Sequence, residues 1–172
     1  MDHLVLTVIA EDQPGLVERI AACIASHGGN WLESRMARMA GQFAGILRVD
    51  VPADVHSRFF KALEALGREG IRIQLATSGR DPAQPHKAIA LELVGNDRPG
   101  IVRDITRVLA ELSVNLESLH TEVAPAPMSG ELLFTANALL AVPDTVALEQ
   151  LQQRLETLAD DLMVELNLSE PV

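Results

Sequence analysis

The apolar positions of this chain change spacing in a fixed order, and the order occurs twice. Leu4-Val5-Leu6-Thr7-Val8-Ile9-Ala10 is a short β-rich apolar run that ends at a turn, which reads as a strand, and Ala88 to Val94 is its counterpart. Behind each turn the spacing becomes helical. Leu16, Ile20, Cys23 and Ile24 mark the first helix, and Ile101, Ile105, Val108, Leu109 and Leu112 its copy, each an amphipathic helix of about three to four turns. The first stops at His27-Gly28-Gly29, where glycine takes the left-handed conformation that ends a helix. Asn30 to Val51 then reads as two strands joined near Ala40-Gly41, and Asn115 to Val142 as two strands joined through the longer Pro125-Ala126-Pro127-Met128-Ser129-Gly130 loop. Pro52 and Pro143 close these strands. Phe59, Phe60, Leu63 and Leu66 mark a second helix in the first half, and Leu148, Leu151, Leu155 and Leu158 do so in the second. A final short strand follows, Ile71 to Ala76 and Leu162 to Leu168. The order strand, helix, strand, strand, helix, strand predicts an α+β fold, βαββαβ in each half, with a four-stranded antiparallel sheet and both helices on one face.

The repetition extends to identities. Asp12-Gln13-Pro14-Gly15-Leu16-Val17 returns as Asp97-Arg98-Pro99-Gly100-Ile101-Val102, a spacing of 85 residues, and Ile20, Ile24 and Asn30 return at the same spacing as Ile105, Leu109 and Asn115. Leu32-Glu33-Ser34 reappears as Leu116-Glu117-Ser118, one residue out of step. Two small domains are expected, residues 1–77 and 87–172, separated by a polar, proline-containing linker at 78–86. Units of this size bury a modest share of their surface, so pairing of the halves, or a homodimer, is expected to support them.

Composition narrows the function classes. With 48% hydrophobic and 22% charged residues the chain is globular, and a net charge of −10 argues against direct nucleic-acid binding, which needs a basic footprint. Arg35, Arg38 and Arg48 are near enough to form a basic patch but read as a solvated strand face. The single Cys23 rules out an internal disulfide and any multi-cysteine zinc site. No stretch reaches the roughly 18 apolar residues that span a bilayer, and the run Leu4 to Ala10 has no basic flank and ends in Glu11-Asp12, so a cytoplasmic location without membrane attachment is expected. His3, His27, His56, His86 and His120 include no pair at i, i+4 metal-ligand spacing, and no P-loop, nucleophile elbow or dinucleotide turn occurs. His120 and Glu122 fall on one face of a strand but read as surface neighbours. Neither a cofactor nor a catalytic activity is expected.

The repeated turn is the remaining candidate. Proline near a helix start costs no hydrogen bond, Asp12 and Asp97 are placed to cap the first amides, and Gly15 and Gly100 keep side-chain bulk away from them. The same turn also suits a ligand. Free N–H groups at a helix N-terminus favour a carboxylate, and the nearby aspartate favours an ammonium, which together fit the head of a free amino acid better than a phosphate. Asn30 and Asn115, opening the next strand, supply both donors and an acceptor.

The Asp-x-Pro-Gly-Leu/Ile-Val turn, the helix behind it and the Asn opening the second strand resemble the ACT domain, a small ferredoxin-like regulatory module. Two in tandem over essentially the whole chain resemble the glycine cleavage system transcriptional repressor family. The resemblance implies amino-acid binding where two ACT domains pair, between the turn before the first helix and a neighbouring domain's strand. On this chain that points to Asp12, Gly15, Leu16 and Asn30, and to Asp97, Gly100, Ile101 and Asn115. Some amino-acid-binding members carry a His two residues before the Asp or Asn of the turn; here those positions are Ala10 and Gly95. The implied function is a non-catalytic negative regulator that senses a small amino acid, glycine by family, and acts through a DNA-binding activator of the LysR type. The alternative is a regulatory subunit or interaction protein controlling an enzyme of amino-acid metabolism.

Overall fold

A computed structural model describes residues 2–77 and 85–172 of the chain. The chain divides into two compact units, with the break between residues 81 and 82. In the first unit β1 (Asp2–Glu11), α1 (Leu16–Ser26), β2 (Asn30–Met39), β3 (Gln42–Val51), α2 (His56–Arg68) and β4 (Arg72–Thr77) follow the expected order, with one 3-10 turn at Ala53–Val55 before α2. The second unit repeats it as β5 (His86–Asn96), α3 (Ile101–Glu111), β6 (Asn115–Pro125), β7 (Leu132–Pro143), α4 (Leu148–Leu162) and β8 (Val164–Ser169). The strand orders are β2-β3-β1-β4 and β6-β7-β5-β8, with every neighbouring pair antiparallel. Most of the expected linker, residues 78–84, lies outside the described residues, and His86 already belongs to β5.

Alternation along the strands places the core. Leu4, Leu6, Val8 and Ala10 of β1 are buried together with Leu47, Val49 and Val51 of β3, Leu16, Ile20 and Ile24 of α1, and Phe59 and Leu63 of α2. The residues between them, such as Ile9 and Ile46, are exposed on the other face. Both helices therefore cover a single face of the sheet, as the period of two in strands and 3.6 in helices requires. The second unit repeats this with Ile89, Leu91, Leu93, Leu140 and Val142 under Ile105, Leu109, Leu151 and Leu155.

The helix ends are built alike. Gly28 at φ +70 lets its own N–H reach the Ala25 carbonyl and the Gly29 N–H reach the Ile24 carbonyl, the paired bonds of a Schellman motif. The second unit makes the same two bonds from Ser113 and Val114, with Ser113 in the left-handed region at φ +57. Ala40 and Gly41 also have positive φ, 49° and 78°, as a two-residue type I′ hairpin turn requires.

Two expectations need correction. Leu162 ends α4 rather than opening the last strand, because Met163 turns left-handed at φ 53 and the strand starts at Val164. The match of Leu32-Glu33-Ser34 with Leu116-Glu117-Ser118, one residue out of step, is replaced by the strand register. Trp31 pairs with Val49 and Glu33 with Arg48, leaving Leu32 as the extra residue of a β-bulge; Leu116 pairs with Leu140 and Ser118 with Leu139, leaving Glu117 extra. Trp31 and Leu116 are thus equivalent at the unbroken spacing of the repeat, each facing the core just before a bulge. A bulged residue is released from the ladder, so position 32 is apolar in one unit while position 117 is a glutamate lying 3.7 Å from His86.

Candidate functional site

Each turn is fastened to its sheet before the helix begins. The Asp12 N–H donates to the Gly41 carbonyl at 3.0 Å, and the Asp97 N–H to the Leu132 carbonyl at 2.9 Å, so both turns sit beside the hairpin end of their own sheet. Gly15 then takes φ 89, ψ 2 and Gly100 φ 92, ψ 0, the angles of the third position of a type II turn, with Pro14 or Pro99 preset at the second. The Gly15 carbonyl accepts the first helical bond, from the Arg19 N–H at 3.0 Å, and the Gly100 carbonyl accepts from Asp104 at 2.9 Å.

This geometry corrects the reading of the turn as an aspartate cap. Gly15 and Gly100 themselves are the N-cap residues, and neither helix start has a side-chain cap hydrogen bond. The first amides of α1 and α3 have no partner within the helix and point outward. Nor is bulk the reason for glycine at position 15, since a Cβ there meets nothing within 4 Å; the left-handed φ is. At Gly100 a Cβ approaches only the tip of the exposed Arg103 side chain, at 3.0 Å, which is able to move aside, so there too the left-handed φ is the reason.

The aspartates differ between the units. Arg38, near the end of β2, brings its Nη1 3.4 Å from the Asp12 carboxylate. Its repeat counterpart, by strand register against Phe43 and Phe134, is Val123. Asp97 makes no side-chain ion pair or hydrogen bond among the described residues. In the sequence Arg38 reads as part of a solvated strand face; the register at the hairpin end brings it, still largely exposed, beside the turn. Arg48 of the same patch pairs with Glu33 at 3.4 Å.

Leu16 and Ile101, named with the turn, are core residues at 3% exposure. They anchor the helix start and present backbone, not side chain, to the turn. Val17 and Val102, which follow them, are the exposed apolar groups there.

Asn30 and Asn115 are not brought to these turns within their own units. Asn30 opens β2 opposite Asp50, whereas Asp12 follows the last rung of β1, where Glu11 pairs with Gln42. Those rungs are eight β3 residues apart, roughly 26 Å along the strand. Asn115 stands likewise at the far end of β6 from Asp97. The positions two residues before each aspartate are closed to a histidine. Ala10 is buried among core side chains, and a Cβ on Gly95 falls 2.3 Å from a Val164 methyl.

Other chemistry is sparse. Among the described residues no group of three or more His, Cys, Asp or Glu is placed to hold a metal ion, and no helix is long and apolar enough to cross a membrane. Cys23 is half-buried, and burial pushes its thiol above the ordinary value. His120 and Glu122 are exposed on the sheet face away from the helices.

Comparison with known proteins agrees with this architecture. Models of the ACT domain match residues 2–74 and 88–164. The crystal structure of an unknown protein from Galdieria sulphuraria is 28% identical, covers 99% of both chains and superposes with a TM-score of 0.88. A structure described as a "putative glycine cleavage system transcriptional repressor" is 20% identical over 98% of this chain and 96% of its own, with a TM-score of 0.70. A bifunctional uridylyltransferase/uridylyl-removing enzyme of Gluconobacter oxydans is 25% identical over 87% of this chain, which spans only 19% of that enzyme's length. The chain belongs to the ACT-domain family and carries two of these regulatory domains in tandem.

Proposed function

We propose that this protein is a non-catalytic, amino-acid-responsive regulator, and specifically a negative regulator of glycine cleavage genes that acts through a DNA-binding partner of the LysR type. The observation that carries the ligand half of this reading is the pair of uncapped helix starts at Gly15 and Gly100, each with an aspartate three residues upstream. Outward N–H groups at the positive end of a helix suit a carboxylate, and the aspartate suits an ammonium. Because the turn and the strand-opening asparagine stand at opposite sheet ends, one ligand touches both only where two ACT domains lie side by side in opposite directions. Occupancy then favours the paired arrangement by the difference in affinity between paired and unpaired domains, and the partner protein reads that arrangement. The glycine specificity and the repressor role rest on likeness to the repressor structure, and the acidic charge accords with contact through protein rather than DNA.

A second reading is favoured by the uridylyltransferase match. Under it, the tandem pair regulates an enzyme of amino-acid metabolism. A thermal-shift screen of the twenty amino acids, repeated with Asp12→Ala and Asp97→Ala, tests the shared premise. Ligand at about 100 times its Kd stabilises the native state by about 2.7 kcal/mol, a shift of several degrees. No shift with any amino acid overturns the sensor reading, and co-purification with an enzyme rather than a transcription factor favours the second reading.

A further inference from the structure

The face of the first sheet that its helices leave open carries a cavity of about 340 Å³, at the lower end of the roughly 300–1,000 Å³ that small-molecule sites occupy. Val5 of β1, Glu33 and Arg35 of β2, and Ile46 and Arg48 of β3 line it. Strand register fixes their order: Glu33, Arg48 and Val5 stand in one cross-strand row, and Arg35, Ile46 and Thr7 in the next. The two arginines are not alike. Arg48 pairs with Glu33 at 3.4 Å, which leaves the first row without net charge, whereas Arg35 makes no ion pair or hydrogen bond among the described residues. Ile46, directly opposite Arg35, is 52% exposed. An unpaired guanidinium therefore stands beside an apolar floor that water still wets.

The duplication supplies a comparison on the same backbone. By register His120 stands in the place of Arg35, Asn137 in that of Ile46, Glu92 in that of Thr7, and Leu139 and Ser118 in those of Arg48 and Glu33. The second sheet forms the same strands with an amide at the isoleucine's place and an acid at the threonine's. The fold thus requires neither Arg35 nor Ile46, and their juxtaposition suits the first face alone to an anion with an apolar body.

We propose that this cavity binds a small aliphatic monocarboxylate, its carboxylate on the Arg35 guanidinium and its hydrocarbon over Ile46 and Val5. A planar guanidinium meets a carboxylate by donating two parallel N–H bonds. One negative charge is the limit, because Arg48 is already neutralised and Glu33 repels a second anionic group. A phosphate has no apolar part to cover Ile46. A free amino acid brings an ammonium, for which the cavity has no uncommitted carboxylate. The site is separate from the Asp12 turn, which follows the Glu11 and Gln42 rung at the end of the same sheet, and it does not rest on the amino-acid reading.

NMR of the isotope-labelled full chain tests the site, with sodium isovalerate as the probe and isovaleramide as its uncharged match. Isovalerate is expected to shift the backbone N–H signals of Val5, Arg35 and Ile46 saturably, and isovaleramide to bind about tenfold more weakly, the usual worth of a hydrogen bond to a charged group. Arg35→Ala is expected to weaken isovalerate by a similar factor, and Arg35→Lys to keep part of the binding. Arg35→His combined with Ile46→Asn installs the residues that the second sheet already carries at these places, so the variant is expected to fold. At about pH 8, where an ordinary imidazole is neutral, it is expected to lose the shifts. Equal binding of isovalerate and isovaleramide overturns the proposal, as do undiminished shifts in the double variant or the absence of saturable shifts in the wild type. Shifts centred on Gly15 or Gly100 overturn it too, and assign the carboxylate to the helix starts. Binding of isovalerate at the sheet face in a protein that no amino acid stabilises upholds this site and removes only the sensor reading.

Discussion

Arg38 holds its guanidinium 3.4 Å from the carboxylate of Asp12, whereas Val123 occupies the corresponding place beside Asp97. One copy of the repeated turn therefore has its carboxylate engaged by a neighbouring strand, and the other has no side-chain partner among the described residues. The Arg38 side chain is largely exposed and that of Asp12 partly so, and exposed pairs of this kind contribute about 0.2–1 kcal/mol. Arg38→Ala is thus expected to move the melting temperature by a few degrees at most. If the turns take an amino acid, Asp97→Ala is expected to reduce the ligand-induced shift more than Asp12→Ala, and Arg38→Ala to leave the shift intact or enlarge it. Loss of the shift in Arg38→Ala would instead make that guanidinium the group that holds the ligand's carboxylate.

Ser113 stands where the first unit has Gly28, in the same helix-ending motif and also left-handed. A residue with a Cβ costs roughly 1 kcal/mol in that conformation. Ser113→Gly is expected to raise the urea midpoint by about that energy, and Gly28→Ser to lower it by a similar amount, with unchanged m-values. Equal midpoints for wild type and Ser113→Gly would refute the assignment of strain to position 113.

Gly15 and Gly95 are both glycine for different reasons, and alanine separates them. At Gly15 the space is open but φ is positive, so Gly15→Ala is expected to cost about 1 kcal/mol. At Gly95 φ is ordinary, but the new methyl meets the Val164 side chain on the neighbouring strand. Gly95→Ala is expected to cost about 1–3 kcal/mol, and Val164→Ala in the same chain to recover part of the loss. Chemical denaturation of the three variants measures this directly.

Cys23 offers a pH test. Its thiol is raised by burial, so the unfolded chain loses that proton first as pH rises. The stability associated with the neutral thiol is present below the unfolded value and is lost as pH climbs through the folded one. Iodoacetamide is expected to label native Cys23 more slowly than the urea-unfolded chain at pH 8, because the thiolate is the reactive form. The drop in urea midpoint between pH 8 and pH 10 is expected to be smaller in Cys23→Ala than in wild type.

The sequence alone determined the order of elements, the duplication and the hairpin turns. The signals for these are local: the period of Leu4 to Ala10 against that of Leu16 to Ile24, and the turn preferences of Ala40-Gly41 and Gly28. The candidate turns were legible for the same reason, since Pro14 and Gly15 are neighbours in the chain. What the turns do as structure was not. The N-cap role passed from Asp12 to Gly15 because a left-handed φ is a property of the folded backbone, and identities favoured both residues. Strand direction decided the rest. Asn30 lies eighteen residues beyond Asp12 in the chain, yet β1 and β2 run the same way on either side of β3, so the two stand at opposite sheet ends. Register likewise brought Arg38 to Asp12 and matched Leu32 with Glu117 as bulged residues, because a ladder pairs residues by geometry and tolerates unlike side chains where no burial constrains them.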